Sequence, residues 1–265
     1  MGKMSSTNVE KPRFAPEKSR PSIFWVLASL VLPLWSLMVR YRFSGTPLPK
    51  TGAFVLAPNH YSEIDPIVTG AACWKLGRAP RFMAKASLFK VPVLGAIMRA
   101  SGQIPVERAG SKSSQAFRAA EELVEKGRVV IVYPEGSLTR DPELWPMRGK
   151  TGAVRLALEH NIPLIPMAHW GTQELMPRYG KRIHPFPRKT IDIKLGEPLD
   201  LSAYGGKLDA ATLTAATADL MNALAKLLGE LRGETPPAER WDPTKHQQAE
   251  TGRFVDGAGS DAGNV

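Results

Sequence analysis

Cysteine is nearly absent from this chain of 265 residues, which contains a single one, Cys73, within an apolar run. One cysteine excludes an intramolecular disulfide and argues against a cysteine-ligated zinc site. A lone thiol in apolar surroundings is typical of a small packed side chain. The cysteine content therefore fits a cytosolic environment but does not demand one.

The sequence also lacks the short motifs that identify several enzyme classes. It contains no G-x-S-x-G elbow, no Walker loop and no dinucleotide-binding glycine pattern. A serine hydrolase, an NTPase and a Rossmann dehydrogenase therefore have no motif support. We predict packed or surface positions, and no metal site, for the histidines that lack metal-ligand spacing, which are His160, His169, His184 and His246.

Negative charge is the scarcer sign: 35 Lys and Arg residues stand against 25 Asp and Glu residues, a formal net charge of +10. This balance suits an anionic partner, which could be nucleic acid, an anionic membrane face or a phosphorylated small molecule. The basic residues are scattered along the chain, and no nucleic-acid-binding motif is present. We therefore predict no nucleic-acid partner.

One long uncharged run does occur, over the nineteen residues 21–39, with basic residues on both sides of it. At ~1.5 Å per residue, a straight helix of this length covers about 28 Å, close to the thickness of a bilayer core. The long polar leader argues against a cleaved signal peptide, and Pro33 would kink a spanning helix. We favour a helix or helix pair that lies in one leaflet, with Trp25 and Trp35 at the interface. An N-terminal core helix is the alternative.

The rest of the chain alternates between short β-rich runs and helical runs. This alternation predicts an α/β domain at residues 44–232, with a largely parallel central sheet flanked by helices. A basic polar leader (residues 1–20) and the membrane-associating segment (residues 21–43) precede it, and a flexible tail (residues 233–265) follows it. The predicted strands are at 53–57, 81–85, 103–107, 128–134, 162–170 and 189–195. The predicted helices are at 66–76, 93–100, 113–126, 151–160 and 211–232.

Polar side chains follow several of these strands at the point where each strand ends. His60 and Asp65 follow the first strand, Arg108 follows the third, and Glu135 follows the fourth. Because ligands of open α/β sheets bind beyond the carboxyl ends of the strands, we expect these residues at one edge. A histidine backed by a carboxylate is a candidate general base. The alternative is structural: in it, Asp65 and its polar neighbours cap the helix that begins near Pro66.

Four segments in order resemble the conserved blocks of the glycerolipid acyltransferase family, the 1-acylglycerol-3-phosphate acyltransferases and their relatives. Residues 59–65 (NHYSEID) look like the N-H-x-S-x-x-D block, and residues 102–108 (GQIPVER) look like the block that ends in arginine. Residues 133–137 (YPEGS) resemble F-P-E-G-T, and residues 162–166 (IPLIP) resemble V-P-x-x-P. Residues 150–152 (KTG) stand where the family has K-x-G. The resemblance runs from about residue 55 to residue 170.

The resemblance implies a mechanism. His60 would take the proton from a glycerol hydroxyl as that hydroxyl attacks the thioester of acyl-CoA or acyl carrier protein, and Asp65 would orient His60. No cofactor is implied beyond the acyl donor itself. The resemblance also implies that Arg108, Glu135, Gly136 and Ser137 bind the acceptor. Lys85 is a further basic candidate near the same edge, and Arg140 is a candidate to replace an arginine of the family. One departure leaves the acceptor open, because Leu138 stands where the family often has arginine and Arg140 comes two residues later.

We therefore expect a membrane-associated enzyme that converts lysophosphatidic acid to phosphatidic acid at the cytoplasmic face of the plasma membrane. Its expected partners are membrane lipids, an acyl thioester donor and a lysophospholipid acceptor. Three alternatives remain open at this point. The acceptor could be glycerol 3-phosphate, another lysophospholipid or a glycolipid, the protein could be a non-catalytic lipid-binding relative, or it could hydrolyse lipids.

Overall fold

The computed structural model describes residue 18 and residues 21–106 and 113–249. Its strands are β1 (Val39–Gly45), β2 (Phe54–Pro58), β3 (Met83–Lys85), β4 (Ile104–Val106), β5 (Val129–Ile131), β6 (Leu164–Trp170) and β7 (Lys189–Leu195). Its α-helices are α1 (Ile23–Met38), α2 (Asp65–Lys75), α3 (Leu94–Ala100), α4 (Ser113–Glu125), α5 (Gly152–His160), α6 (Thr172–Leu175) and α7 (Ala210–Arg232). Short 3₁₀ helices occupy Ala86–Lys90, Ser202–Tyr204 and Pro243–His246.

The main sheet has the strand order β1-β7-β6-β2-β5. Strand β2 runs parallel to both β5 and β6, β1 runs parallel to β7, and only the β6–β7 pair is antiparallel. A parallel bridge between Phe82 and Ile131 joins the separate parallel pair β3–β4 to the outer side of β5. The predicted α/β fold with a largely parallel sheet is therefore confirmed.

Strand β2 lies at the centre of the core and is buried along its whole length. Phe54 and Leu56 belong to an apolar cluster with residues of α1 and α2, on one face of the sheet. Val55 and Ala57 belong to a second cluster with residues of α4, α5 and α7, on the other face. Helices cover both faces, and for this reason the strand is a continuous apolar run without alternation.

Strand β1 corrects one predicted boundary. Residues 39–43 were assigned to the membrane-associating segment, but Val39–Gly45 pairs with β7 over seven residues as the edge strand of the sheet. Arg42 forms an ion pair with Asp192 of β7. Helix α1 is thus shorter than the uncharged run, at 16 residues, and none of the helices in the described part of the chain is long and apolar enough to cross a membrane.

The segment after α7 corrects a second prediction. Residues 233–265 were expected to be flexible, yet residues 233–249 fold back onto the domain. The backbone N–H of Arg148 donates to the Trp241 carbonyl at 2.9 Å, and the Trp241 ring stacks on His246 with 3.6 Å between the ring centroids. Pro243 in the same segment is buried, and the polar composition of the tail did not indicate these contacts. Residues 250–265 of the tail lie outside the described residues, as do residues 1–17, 19 and 20 of the leader.

Candidate active site

The candidate site lies at the edge of the sheet where parallel strands end. Strands β2 and β5 run in the same direction, so the turns after Pro58 and Ile131 meet at this edge. These two turns carry His60 and Glu135. Strand β4 also runs toward this edge, because it is parallel to β3, but Arg108 beyond it lies outside the described residues. The predicted convergence of the His60 and Glu135 turns is present.

His60 and Asp65 form a hydrogen-bonded pair, with 2.9 Å between His60 Nδ1 and Asp65 Oδ2. A carboxylate accepts hydrogen bonds, so Nδ1 carries the proton and Nε2 has a free lone pair. The same Asp65 oxygen accepts the backbone N–H groups of Tyr61 and Ser62, each at 2.7 Å. The His60 side chain is 16% exposed and that of Asp65 is 0% exposed. This arrangement suits a general base with an anchored orienting acid.

The position of Asp65 corrects the capping alternative. Asp65 is the first residue of α2, the N-cap is Ile64, and no side chain caps this end of the helix. The Asp65 carboxylate instead accepts the N–H groups of the preceding loop, while the N–H groups of Ile67 and Val68 donate to the Ile64 carbonyl. An acidic side chain in the first helical turn is still favourable in the field of the helix dipole.

A second histidine lies behind the pair. His169 is the next-to-last residue of β6, beside β2, and is fully buried. Its Nε2 is 3.0 Å from the Asn59 carbonyl oxygen and 3.8 Å from Asp65 Oδ1, and the latter accepts no hydrogen bond from any described residue. Burial lowers the pKa of His169. Because a carbonyl oxygen only accepts, Nε2 carries a proton and donates it to the Asn59 carbonyl, and Asp65 Oδ1 lies beyond hydrogen-bonding distance. Asn59 also binds the backbone N–H and carbonyl of His169, at 2.9 and 3.2 Å.

The ring of Tyr133 forms one wall of the site. It stacks on the His60 ring with 4.0 Å between centroids, and its hydroxyl lies 2.8 Å from Thr69 Oγ1. Burial raises the pKa of Tyr133 well above its usual value. The sequence indicated no role in the site for Tyr133 or His169. His169 lies within β6 and Tyr133 follows β5, and both strands end at this edge. That position in the sequence could have indicated that they belong to the site.

Glu135 is buried and ties two loops together. Its Oε1 accepts the backbone N–H of His60 at 2.9 Å, and its Oε2 accepts the backbone N–H of Met147 at 3.0 Å. The loops are joined again where Thr139 N–H donates to the His60 carbonyl at 2.7 Å. Burial raises the pKa of Glu135 to about 8. Both carboxyl oxygens of Glu135 thus accept hydrogen bonds from the protein backbone. This argues against the direct contact between Glu135 and the acceptor that the resemblance implied.

The profile of the acyltransferase family matches residues 40–170. This segment starts in β1, ends with β6 and includes the His60–Asp65 pair and the Glu135 turn. The chain belongs to the glycerolipid acyltransferase family.

Several named relatives agree with this assignment. The chain is 32% identical over 187 residues to a chloroplastic 1-acyl-sn-glycerol-3-phosphate acyltransferase of Brassica napus. The aligned region covers 68% of this chain and 51% of that protein. It is 27% identical over 175 residues to an N-acylphosphatidylethanolamine synthase of Arabidopsis thaliana, with coverage of 62% and 59%. The chain spans about half the length of the curated relatives it matches.

A solved structure shows the same fold. The 1-acyl-sn-glycerophosphate acyltransferase PlsC from Thermotoga maritima superposes with a TM-score of 0.54 at 24% identity, covering 78% of this chain and 75% of that one. The α/β architecture of the family is therefore present here.

The remaining candidate acceptor positions differ in accessibility. Lys85 is exposed at the end of β3. Arg140 is 1% exposed and donates a hydrogen bond to the Tyr179 hydroxyl, and Ser137 is also buried. Gly136 has a φ of +70°, and a Cβ there would lie 3.0 Å from the stem of Lys150. Burial argues against direct acceptor contacts by Ser137 and Arg140.

A cleft of about 290 Å³ opens beside Glu135. Its lining residues are Glu135, Met147, Arg148, Lys150, Thr151 and Pro243. Lys150 and Arg148 bring positive charge to this cleft, and Lys150 begins the segment that resembles the K-x-G of the family. Within the described part of the chain, no group of three or more His, Cys, Asp or Glu side chains has the arrangement of a metal site.

Proposed function

We propose that the protein transfers an acyl chain from an acyl thioester to the hydroxyl of a lysophosphatidic acid-type acceptor, which yields phosphatidic acid. The observation that supports this most directly is the 2.9 Å contact between His60 Nδ1 and the buried Asp65. It leaves Nε2 of a partly exposed imidazole as the proton acceptor. Acyl-CoA or acyl carrier protein supplies the acyl group, and no cofactor takes part in the proposed reaction.

The proposed reaction proceeds by direct transfer. As the acceptor oxygen attacks the thioester carbon, Nε2 of His60 takes the hydroxyl proton. The new C–O bond forms, the C–S bond breaks, and the imidazolium returns the proton to the departing thiolate. Asp65 stabilises the transient imidazolium, because a carboxylate within hydrogen-bonding distance favours the charged ring. Arg108 remains our predicted ligand for the acceptor phosphate, since its planar fork matches phosphate geometry.

A different lipid acceptor is the second candidate. Leu138 stands at the position where the family often has arginine, and Arg140 is buried against Tyr179. If that arginine binds the acceptor headgroup in relatives, this chain lacks the contact. Glycerol 3-phosphate, another lysophospholipid, a glycolipid or the amine of phosphatidylethanolamine would then be the acceptor.

An acceptor panel tests both candidates. The full chain is incubated with acyl-CoA and, separately, with lysophosphatidic acid and each alternative acceptor, and the lipid products are identified by mass spectrometry. We expect phosphatidic acid from lysophosphatidic acid at the highest rate. A higher rate with another acceptor would replace the first candidate by the second. Free fatty acid without an acylated product would indicate a hydrolase. The absence of any turnover would indicate a non-catalytic lipid-binding protein.

Helix α1 supports the membrane association that we include in this proposal. It packs against α2, and Trp25 near its start lies edge-on against Trp74 at the end of α2. Apolar side chains on its outer side are each more than half exposed and recur at helical spacing, at Val26, Leu30, Leu34 and Leu37. An apolar stripe of this kind suits a helix that lies in the interface of one leaflet. The cytoplasmic face of the plasma membrane remains our predicted location.

The double variant Leu30→Ser with Leu34→Ser should move the protein from the membrane fraction to the soluble fraction. The two leucines are 71% and 63% exposed, so their loss removes apolar contact with lipid and little core packing. Deleting the helix would be a poorer test, because it also removes the buried Phe24 and Trp35. Sedimentation with liposomes measures the effect, and Leu208→Ser, at an exposed leucine elsewhere, is the matched control. Equal sedimentation of the double variant and the control would refute the role of α1.

Replacement of His169 by leucine should slow acyl transfer by about tenfold and lower the free energy of unfolding by about 1–3 kcal/mol, the usual cost of a buried acceptor without a donor. The substitution removes the N–H that faces the Asn59 carbonyl and Asp65 Oδ1. His169→Gln is the matched variant, because its amide nitrogen reaches the place of Nε2 and should restore most of the rate. Steady-state turnover and urea unfolding are the measurements. A leucine variant as active as the wild type would contradict the prediction.

A further inference from the structure

The segment between β3 and β4 exposes apolar side chains although it has a compact backbone. It consists of the 3₁₀ helix Ala86–Lys90 and α3, which pack against each other. Four large apolar residues within seven positions are exposed, at Leu88, Val91, Val93 and Leu94, and Val93 is 73% exposed. Single exposed apolar residues are ordinary, but a contiguous group marks a surface that contacts another apolar phase. We call residues 85–99 the 85–99 surface.

The backbone holds Val93 outward in an unusual conformation. Val93 has φ +61° and ψ −61°, and the Leu94 N–H donates to the Pro92 carbonyl at 2.6 Å. These values describe a γ-turn of the rare, strained kind, and a β-branched residue with positive φ is a genuine outlier. Gly95 permits the close packing of α3, because a Cβ there would lie 2.1 Å from the Phe89 carbonyl oxygen. Such strain persists only where the surroundings fix it, and it is concentrated at functional sites.

The charge of this region has one sign. No Asp or Glu occurs from residue 66 to residue 106. The basic residues in that stretch are Lys75, Arg78, Arg81, Lys85, Lys90 and Arg99. Three of them, Lys85, Lys90 and Arg99, stand on the 85–99 surface and are exposed. Exposed apolar groups among basic residues form the composition that binds an anionic lipid interface, where each Lys or Arg contributes about 1 kcal/mol.

The 85–99 surface starts at the catalytic edge of the sheet. Strand β3 is joined to β5 by the parallel Phe82–Ile131 bridge, and the backbone N–H of Ile131 donates to the Arg81 carbonyl at 2.7 Å. Because β3 runs parallel to β5, its last residue, Lys85, reaches the same edge as the turns that carry His60 and Glu135. A lipid bilayer against this surface would therefore also meet the catalytic edge.

We propose that the 85–99 surface is a second lipid contact, separate from α1, that binds the anionic headgroup region of a bilayer beside the catalytic edge. The proposal deepens the proposed function, on which it rests for the presence of an acceptor in the membrane. Helix α1 supplies apolar contact only, since residues 23–38 carry no charge. The 85–99 surface supplies preference for anionic lipid.

Vesicle binding by the full chain tests the proposal. Vesicles of phosphatidylcholine alone are compared with vesicles that also contain phosphatidylglycerol, at low and at high salt. The variant Lys90→Gln should bind anionic vesicles about fivefold more weakly at low salt, the ratio for about 1 kcal/mol, and neutral vesicles unchanged. Lys207→Gln, at an exposed lysine outside this surface, is the control. Equal binding of both variants to anionic vesicles would overturn the proposal, as would failure of the wild type to prefer them.

A second variant tests the apolar part of the surface without damage to the fold. Val93→Asn removes the apolar side chain and places at positive φ a residue that tolerates it better, so thermal unfolding should occur at the wild-type temperature or above. Binding to anionic vesicles should fall, and transfer to a water-soluble short-chain acceptor should stay unchanged. Unaltered vesicle binding would overturn the proposal. A wild type that binds anionic vesicles but acylates no acceptor would instead count against the proposed function alone.

Discussion

The variant His60→Ala should lose acyl transfer by about 10²–10⁴-fold while keeping its fold, since a positioned general base contributes a rate factor of this size. Only side-chain contacts are removed: the hydrogen bond to Asp65 and the stacking on Tyr133. The main-chain bonds of residue 60 to Glu135 and Thr139 remain, so the loop keeps its place. Steady-state transfer from acyl-CoA, with circular dichroism for the fold, measures the effect.

Asp65→Asn is the matched variant for the same reaction. An asparagine oxygen can still accept the N–H groups of Tyr61 and Ser62, so the turn keeps its hydrogen bonds while the negative charge is lost. The imidazolium then has no counter-charge, and we expect turnover to fall by about 10²-fold or more, the direction seen when the orienting carboxylate of a catalytic triad is neutralised. If either variant turned over at close to the normal rate, the assignment of His60 as base would have to be abandoned.

Glu135→Ala should produce the largest loss of stability, about 2–6 kcal/mol. Two buried backbone N–H groups, those of His60 and Met147, lose their acceptor, and each unsatisfied donor costs about 1–3 kcal/mol. Transfer should fall as well, because the His60 loop loses one of its two ties to the turn after β5. Urea unfolding measures the stability, and Glu143→Gln, at an exposed glutamate of the same loop region, is the control. A Glu135→Ala variant as stable as the control would show that the hydrogen bonds of the Glu135 carboxyl group do not stabilise the fold.

The pH dependence of stability provides an independent check on Glu135. Burial raises its pKa from 4.5 to about 8 in the folded state. Between these values the folded protein holds a proton that the unfolded chain has released, so the contribution of Glu135 is greatest below about pH 4.5 and decreases as the pH rises through 8. The difference in unfolding free energy between the wild type and Glu135→Gln should therefore shrink over this interval. A difference that grew with pH would mean that burial is not the main influence on the pKa of Glu135.

The sequence alone supports the fold and the core of the site because both depend on local patterns. Apolar runs and helical spacing predicted β2, β5 and α4. The position of His60 directly after a buried strand predicted that His60 lies at the edge of the sheet where that strand ends. The spacing of His60 and Asp65 was informative because the turn and the start of α2 are one short, continuous stretch.

The remaining features depend on contacts between distant parts of the chain. Strand β1 was not predicted, because it continues directly from an apolar run and pairs with β7, about 150 residues later in the sequence. A sequence places Glu135 and Arg140 after a strand but does not reveal whether their side chains face the interior or the solvent. Here both face the interior, because the loop before α5 and the Tyr179 region cover them.

The direct passage from α1 into β1 has a mechanical consequence. Met38 ends the helix and Val39 begins the strand, without a residue between them. Strand β1 is then bonded along its length to β7, and α1 also packs against α2, so the chain junction and the packing both couple α1 to the sheet. Any tilt of the helix relative to a surface therefore tilts the whole domain. The height of His60 above that surface is set by the geometry of the sheet, and lengthening the helix–strand junction would uncouple the two.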